Sequence, residues 1–212
     1  MALPNRYQNL GEGAVASYDF VELASGVGSV TLYPVTTSGA GLLSVNPAYN
    51  HPEGITGTSS NGCVRAVNNT ADVNFDLTIN KPIILKGKCY VSFKNILRRI
   101  GGGTGGVAST FIVNLYKVVG ATEYLLGTGQ QAKSETLDAG TARDYDACYA
   151  FDISTTHLSI GDKIRLNLIC DSSSANFDAW FLTDSMNREI VIGDYTSVFS
   201  RCILNLPVKI DL

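Results

Sequence analysis

Strict alternation of apolar and polar residues is the feature that most constrains how this chain can fold. It is clearest at the end of the sequence, where 201–211 places an apolar residue at every second position: Cys202, Leu204, Leu206, Val208 and Ile210. A period of two is that of a strand with one buried face, because successive side chains point to opposite sides of a sheet. A chain end frays unless pairing holds it, so we expect this strand to be built into a sheet.

The same alternation recurs along the chain and predicts a series of short strands. The predicted strands are Tyr18–Leu23, Ser29–Val35, Ala71–Asn80, Lys88–Lys94, Thr110–Val118, Glu123–Leu126, Tyr149–Ile153, Lys163–Cys170, Phe177–Leu182, Glu189–Ile192 and 201–211. Residues 119–122, Val-Gly-Ala-Thr, form a hairpin signature between two of them. Only Asn95–Ile100 and Gln130–Leu137 are candidates for helical turns. The pattern predicts an all-β fold, an antiparallel β-sandwich that is jelly-roll-like.

The length of 212 residues suits a single domain of this class. Residues 1–16 are mixed and turn-rich, which indicates an N-terminal arm. We expect residues 17–212 to form one β-sandwich domain with a long loop at 36–62, a stretch rich in Gly, Pro and small polar residues. Loops of this length are uncommon in compact domains, and this one is a candidate contact with a neighbouring subunit.

Charged residues make up only 17% of the chain, below the usual quarter, and the net charge is −3. Lys and Arg are scattered, whereas binding to nucleic acid requires a clustered cationic face, so we expect no nucleic-acid partner. No segment has the pattern of a secretory signal or of a bilayer span, which predicts synthesis in the cytoplasm and no membrane partner. The low charge fits either a monomer coated with uncharged polar residues or a surface partly covered by other subunits.

Five widely spaced cysteines occur without a C-x-x-C motif. An odd number in a chain without an export signal argues against a disulfide framework. Cys89, Cys170 and Cys202 lie on the apolar faces of predicted strands, so we expect buried free thiols and no zinc site.

Motifs that would carry catalysis are weak. Residues 101–106 contain a formal G-x-G-x-x-G, but a strand follows it, so the helix N-terminus that would hold a pyrophosphate is missing. His51 and His157 have no recognisable nucleophile beside them, and we interpret both as surface loop residues. We therefore predict no enzymatic activity, no cofactor, and no catalytic, cofactor-binding or metal-binding residues.

Asp138, Asp144 and Asp146 share one polar stretch, and such oxygen ligands suit hard cations. Their spacing does not match an EF-hand loop, which favours a solvated loop instead. A pair of carboxylates for glycoside cleavage, drawn from different strands, stays open as an alternative.

Tyrosine is abundant, with ten residues against the single Trp180. Tyr is typical of adhesive contact surfaces, although the same residues also serve as ordinary strand aromatics. The candidates for a saccharide or protein surface are Tyr33, Tyr49, Tyr90, Tyr116, Tyr145 and Tyr195.

The chain resembles the small β-sandwich virion structural proteins of tailed bacteriophages, such as head decoration and fibre-type proteins. The segments that carry the resemblance are Phe20–Leu23, Asn80–Gly87, Leu158–Leu166 and Leu204–Leu212. It implies a capsid decoration or cement protein of the virion that self-assembles, with a trimer favoured, and binds capsid or tail subunits without an active site.

Two alternatives stay open. The first is a carbohydrate- or receptor-binding module of a phage fibre or tail, with a glycan as a possible partner. It requires Trp180, or several tyrosines on one face, to be exposed. The second is a hydrolase with cross-strand carboxylates.

The predicted N-terminal arm, residues 1–16, can be tested by deletion. Deleting residues 1–16 should weaken assembly while leaving the sandwich folded, because the arm lies outside the predicted domain. Light scattering on a sizing column measures assembly, and circular dichroism measures folding. Equal assembly by the truncated and complete chains would remove the arm from the contact surface.

Overall fold

The computed structural model describes residues 27–37, 40–47, 58–59, 63–67, 69–172, 176–183, 190–192, 195–197 and 202–209. These residues form strands and connections, with no helix among them. The strands are β1 (Val27–Thr37), β2 (Ala40–Ser44), β3 (Thr58–Ser59), β4 (Cys63–Val67), β5 (Thr70–Thr78), β6 (Ile83–Arg99), β7 (Gly105–Val119), β8 (Thr122–Leu137), β9 (Ala142–Leu158), β10 (Lys163–Asp171), β11 (Phe177–Leu182), β12 (Ile190–Ile192), β13 (Tyr195–Ser197) and β14 (Ile203–Lys209).

Two layers share strand β1. In sheet A the order is β3-β4-β11-β6-β14-β1, with β9 on the other edge of β6, and in sheet B it is β1-β2-β5-β10-β7-β8. The first half of β1, Val27–Leu32, pairs with β14, and the second half, Tyr33–Thr37, pairs with β2. All of these pairings are antiparallel except that of β2 with β5. The predicted all-β, jelly-roll-like sandwich is confirmed.

Strand β6 organises sheet A. Its 17 residues pair with β9 along almost their whole length. Its opposite edge is shared, with β14 along the first half and β11 along Lys94–Arg99. One long strand therefore sets the register of three neighbours.

The core lies between the two sheets and is filled by alternating side chains. In β5 the alternation is clean, with Ala71, Val73 and Phe75 buried. An aromatic group crosses the core: Phe181 of β11 packs edge-to-face on Phe93 of β6 at 5.0 Å and on Phe111 of β7 at 5.2 Å between ring centroids. Aromatic pairs of this geometry add to the free energy gained by burial, so this group joins sheet A to sheet B.

Both helix candidates were wrong. Asn95–Ile100 belongs almost entirely to β6, and Gln130–Leu137 lies in β8. The period of two is lost at Asn95, Ile96 and Leu97 because all three are fully buried. Ile96 joins a second apolar cluster on the outer face of sheet A, with Trp180 and Leu182, so this segment is covered on both faces.

Two predicted loops also differ. The stretch 36–62 holds β2 and β3 and the end of β1, so it is interrupted by pairing. The polar stretch that begins at Leu137 becomes strand β9 at Ala142, because β6 supplies a complete hydrogen-bonding partner for it. The expected hairpin between β7 and β8 is confirmed. The N-terminal arm, the predicted strand Tyr18–Leu23 and most of 48–62 lie outside the described residues.

Glycines allow β8 and β9 to approach closely. An added Cβ would lie 2.6 Å from the ring of Phe151 at Gly127, and 2.6 Å from the ring of Tyr149 at Gly129. The two aromatic rings of sheet A therefore rest directly on the backbone of sheet B. This contact closes the edge of the sandwich where the two sheets end.

The close approach gives a matched pair of substitutions. Gly129→Ala should lower the free energy of unfolding by about 1–3 kcal/mol, because Tyr149 must shift to admit the methyl group. Gly106→Ala in β7 is the control, since a Cβ there meets nothing within 4 Å, and its effect should stay within about 0.5 kcal/mol. Urea unfolding of both variants measures the difference, and equal stabilities would contradict the packing described.

Candidate interaction surfaces

A ladder of amide side chains crosses the outer face of sheet B. The Thr128 hydroxyl donates to Asn114 Oδ1 at 2.7 Å, and Asn114 Nδ2 donates to Asn167 Oδ1 at 3.1 Å. Asn167 Nδ2 in turn donates to Asp72 and Asn74. The ladder joins four strands. It stabilises the sheet because it gives hydrogen-bond partners to the buried side chains of Asn114 and Asn167.

Ion pairs stand beside this ladder. Asp76 accepts from Arg165 Nε at 2.7 Å and Nη2 at 2.8 Å, and Lys163 lies 3.4 Å away. Burial by itself would raise the pKa of Asp76, but the hydrogen bonds and positive charge of Arg165 and Lys163 outweigh it and lower the pKa. Arg165 also pairs with Glu123 of β8.

Exposed apolar side chains collect at one end of the sandwich. Val119, Tyr124, Leu125 and Ile160 are exposed by 39%, 52%, 55% and 68%, and we call these four residues the apolar end. The first three belong to the β7–β8 hairpin and its turn, whereas Ile160 is in the turn between β9 and β10.

Lys117 joins the two turns of the apolar end. It is the cross-strand partner of Tyr124, and its ammonium donates to the His157 carbonyl at 2.7 Å and lies 3.4 Å from Asp162. The hairpin and the Ile160 turn are therefore neighbours.

A buried ionic group lies on the outer face of sheet A. The fully buried Asp178 accepts from Arg65 Nε at 3.1 Å and Nη2 at 2.8 Å, and Arg65 also stacks on the Trp180 ring at 4.7 Å. Trp180 is only 5% exposed. The condition that a carbohydrate-binding surface would place on Trp180 is therefore not met.

The glycine-rich loop encloses an arginine. The guanidinium of Arg99 donates to the carbonyls of Gly102 and Gly103, and a Cβ at Gly105 would lie 2.8 Å from it. Gly102 and Gly103 have φ values of +79° and +71°, which favour glycine. The loop connects β6 to β7. The G-x-G-x-x-G motif therefore forms the turn around Arg99 between two strands and does not begin a helix.

Asp138 is not brought together with the other two acidic candidates. Asp138 follows β8 and accepts from the Thr104 hydroxyl, whereas Asp144 and Asp146 of β9 face Lys94 at 2.8 and 3.5 Å. Among the described residues, no three His, Cys, Asp or Glu side chains are placed to hold a metal ion. His157 is exposed but lies in β9, and His51 lies outside the described residues.

Three thiols are buried as expected: Cys89, Cys170 and Cys202. Burial raises the pKa of each to about 12, so these thiols stay protonated and pack as small apolar groups. Cys148 on β9 is exposed. The side chain of Cys63 is outside the described part.

The candidate tyrosines do not form one surface. Tyr90 is exposed on the outer face of sheet A, and Tyr33 and Tyr116 are half-buried. The hydroxyl of Tyr145 donates to Glu135 at 2.8 Å between the sheets. Tyr49 and the side chain of Tyr195 lie outside the described residues. Tyr124, which the sequence did not single out, is more exposed than Tyr90, at 52% against 43%.

Comparison with known proteins gives low similarity throughout. No family model matches the sequence, and no curated protein matches it. An α-amino acid ester hydrolase matches in structure with a TM-score of 0.46 and 10% identity, and a CocE/NonD family hydrolase from Staphylococcus aureus with 0.45 and 9%. In each case 84% of this chain covers 36% of the hydrolase.

A structure of infectious bursal disease virus, Gx strain, matches over 100% of this chain and 59% of the viral chain. Its TM-score is 0.27 and its identity 10%. This chain therefore spans about a third of the length of the hydrolases and less than two thirds of the viral chain.

The prediction that the chain is not an enzyme is corrected by the comparison. Solved structures that match this chain include hydrolases, so the absence of a recognisable sequence motif was not a sufficient reason to exclude an enzyme. The physical reason is that active-site groups come together from separate strands and loops, which local motifs do not reveal. Separately, no helix long and apolar enough to cross a membrane occurs in the part of the chain that the structure describes.

The ion pairs of Asp76 predict a pH dependence. Its pKa is lower in the folded chain than the unfolded value of 3.8, so its contribution to stability is present above that pH and is lost as the pH falls below it. Asp76→Asn should lower the free energy of unfolding by about 1–3 kcal/mol at pH 7. It should also make the free energy of unfolding fall less steeply as the pH is lowered into the acid range. Urea unfolding from neutral to acid pH measures both effects. An unchanged fall in the acid range would contradict the assignment.

Proposed function

We propose that this protein is a virion structural protein of the capsid decoration or cement type, which binds a capsid surface and copies of itself. The observation that carries the proposal is the apolar end. Single exposed apolar side chains are ordinary, but several large ones gathered at one end are typical of a protein–protein contact.

The surroundings of the apolar end favour burial against a partner. Lys117 is paired with Asp162, and Arg165 with Glu123 and Asp76. Because these charges already have partners within the chain, covering the end does not leave an isolated ion without water. A partner of apolar or uncharged polar surface therefore fits this end better than a charged polymer.

The architecture supports the same role. Jelly-roll sandwiches occur in viral capsid domains, and they present loops and turns at their two ends while the core stays between the sheets. Fold alone does not determine function, so the argument depends on the surface. We expect the copies to form a closed ring, with three as the expected number, located on the virion.

The test combines two substitutions in the apolar end. Leu125→Ser with Ile160→Ser should reduce the assembly of the protein, because it removes the two most exposed apolar side chains of that end. Light scattering on a sizing column under reducing conditions gives the molar mass. Ile100→Ser is the control. Ile100 is an exposed apolar residue that directly follows β6, at the end of the sandwich away from the apolar end, so this substitution should leave assembly unchanged.

The virion role has its own readout. Virus particles from the source of this sequence are purified on a density gradient, and peptides of this chain are sought in the particle fractions by mass spectrometry. We expect them to co-migrate with the particles. A wild-type monomer that is also absent from the particles would overturn the proposal.

A further inference from the structure

The outer face of sheet A carries an ordered set of side chains on β6 and β9. The buried Cys89, Val91 and Phe93 point into the core, so the residues that alternate with them on β6 point outward. Cross-strand pairing then sets four pairs side by side: Lys88 with Asp152, Tyr90 with Ala150, Ser92 with Cys148, and Lys94 with Asp146. We call these eight residues the β6–β9 face.

At one end of the face the side chains of Lys88 and Asp152 are exposed by 48% and 82%, whereas at the other end Asp146 is exposed by 84% and Lys94 by only 15%. Lys88 Nζ donates to Asp152 at 2.7 Å, and Lys94 Nζ lies 3.5 Å from Asp146. The cations stand on β6 and the carboxylates on β9. Lys88 contacts one carboxylate, whereas Lys94 also donates to Asp144 of β9, which lies beside the face, at 2.8 Å. Between them lie the exposed Tyr90 and Ala150 and an open depression of about 400 Å³ beside Ser92 and Cys148.

This order makes the face complementary to itself. A two-fold axis parallel to the strands and midway between β6 and β9 sets β6 of one copy against β9 of the other, without any shift along the strands. Each β6 residue then meets, across the interface, the residue type that it already meets within its own chain. Lys88 faces Asp152 of the second copy, and Lys94 faces Asp146 of the second copy.

The side chains that face each other in this arrangement are complementary in size as well as in charge. The large Tyr90 faces the small Ala150 of the second copy, and Ser92 faces Cys148. A two-fold axis perpendicular to the strands would instead set Lys88 against Lys94 and Asp152 against Asp146. Like charges in contact disfavour that alternative, so complementarity selects one symmetry.

We propose that two copies of this chain pair through the β6–β9 face about a two-fold axis parallel to its strands. Such an interface is isologous, because the same patch serves both copies. The inference deepens the proposed function and rests on it in one respect, that copies of this chain associate. It uses a different surface from the apolar end.

The test begins from the variant Leu125→Ser/Ile160→Ser, in which association through the apolar end is removed. In this background, Lys88→Glu makes the outer pair wholly acidic and Asp152→Lys makes it wholly basic. Each change creates two like-charge contacts in the symmetric dimer and should weaken dimerisation by about tenfold or more. Sedimentation equilibrium at low salt measures the dissociation constants.

Mixing the two variants is the decisive step. The acidic copy and the basic copy restore both opposite-charge contacts, so an equimolar mixture should dimerise about as tightly as the parent. Each variant alone has lost its internal Lys88–Asp152 ion pair, and mixing cannot restore that pair. Recovery therefore reports the interface and not the fold.

A matched control lies on the other sheet. Lys163 has an exposure of 41% against 48% for Lys88, and it is also paired with a carboxylate, that of Asp76. Lys163→Glu makes the same change of charge on the outer face of sheet B. It should leave the dissociation constant unchanged.

Cys148 supplies a second measurement. Packed sheets stand about 10 Å apart, so the two Cys148 thiols in the dimer come within reach of a short bis-maleimide. We expect a covalent dimer in the parent background, and none after Cys148→Ser.

Three outcomes would overturn the inference: a parent background that stays monomeric up to about 1 mM, swaps without effect on the dimer, or no recovery on mixing. Association through the apolar end, the observation that carries the proposed function, fails on a separate result, equal assembly of wild type and Leu125→Ser/Ile160→Ser. The two failures are therefore distinguishable.

Discussion

The pairing of β6 with β9, β14 and β11 is the constraint on which the rest of the structure depends. Side chains of a strand alternate between two faces, so a shift of one residue in this register would turn Cys89, Val91 and Phe93 outward. Burial of these three side chains therefore fixes which residues of β6 and β9 face solvent. The outer surface of sheet A is a consequence of how its core is packed.

Several charged side chains on the two sheet faces are paired within the chain. Arg165 holds Asp76 and Glu123 on sheet B, while Lys88 and Lys94 hold carboxylates of β9 on sheet A. Exposed ion pairs contribute little to stability, but they determine what kind of partner a surface accepts. Around the apolar end the ion pairs neutralise charges that a partner would otherwise have to bury. On the β6–β9 face the ion pairs form a pattern of charge that a second copy can match.

The predictions from sequence were right where one face of a strand is buried and the other exposed. Ala71–Asn80 alternates cleanly, and the structure places β5 there with its core residues inward. They were wrong where this condition does not hold. Asn95–Ile100 lost its period because Ile96 is covered on the outer face by Trp180 and Leu182.

The part of strand β8 that follows Leu126 was missed for the opposite reason. Its inward positions include Gly127 and Gly129, which have no side chain to mark a core face, because the rings of Phe151 and Tyr149 occupy that space. Neither candidate surface had a local signature either. The apolar end joins residues of two separate turns, and the β6–β9 face depends on the register between strands about 60 residues apart.

By itself, the sequence determined that this chain forms strands, that Cys89, Cys170 and Cys202 are buried thiols, and that its glycine-rich loop precedes a strand. These properties follow from local alternation and composition, which each segment carries alone. Only the tertiary structure decided that Trp180 is buried, that Asp138 is separated from Asp144 and Asp146, and that Lys88 stands beside Asp152. Such placements depend on which strands become neighbours and in what register, and the free energy that selects them comes from burial between sheets distant in sequence.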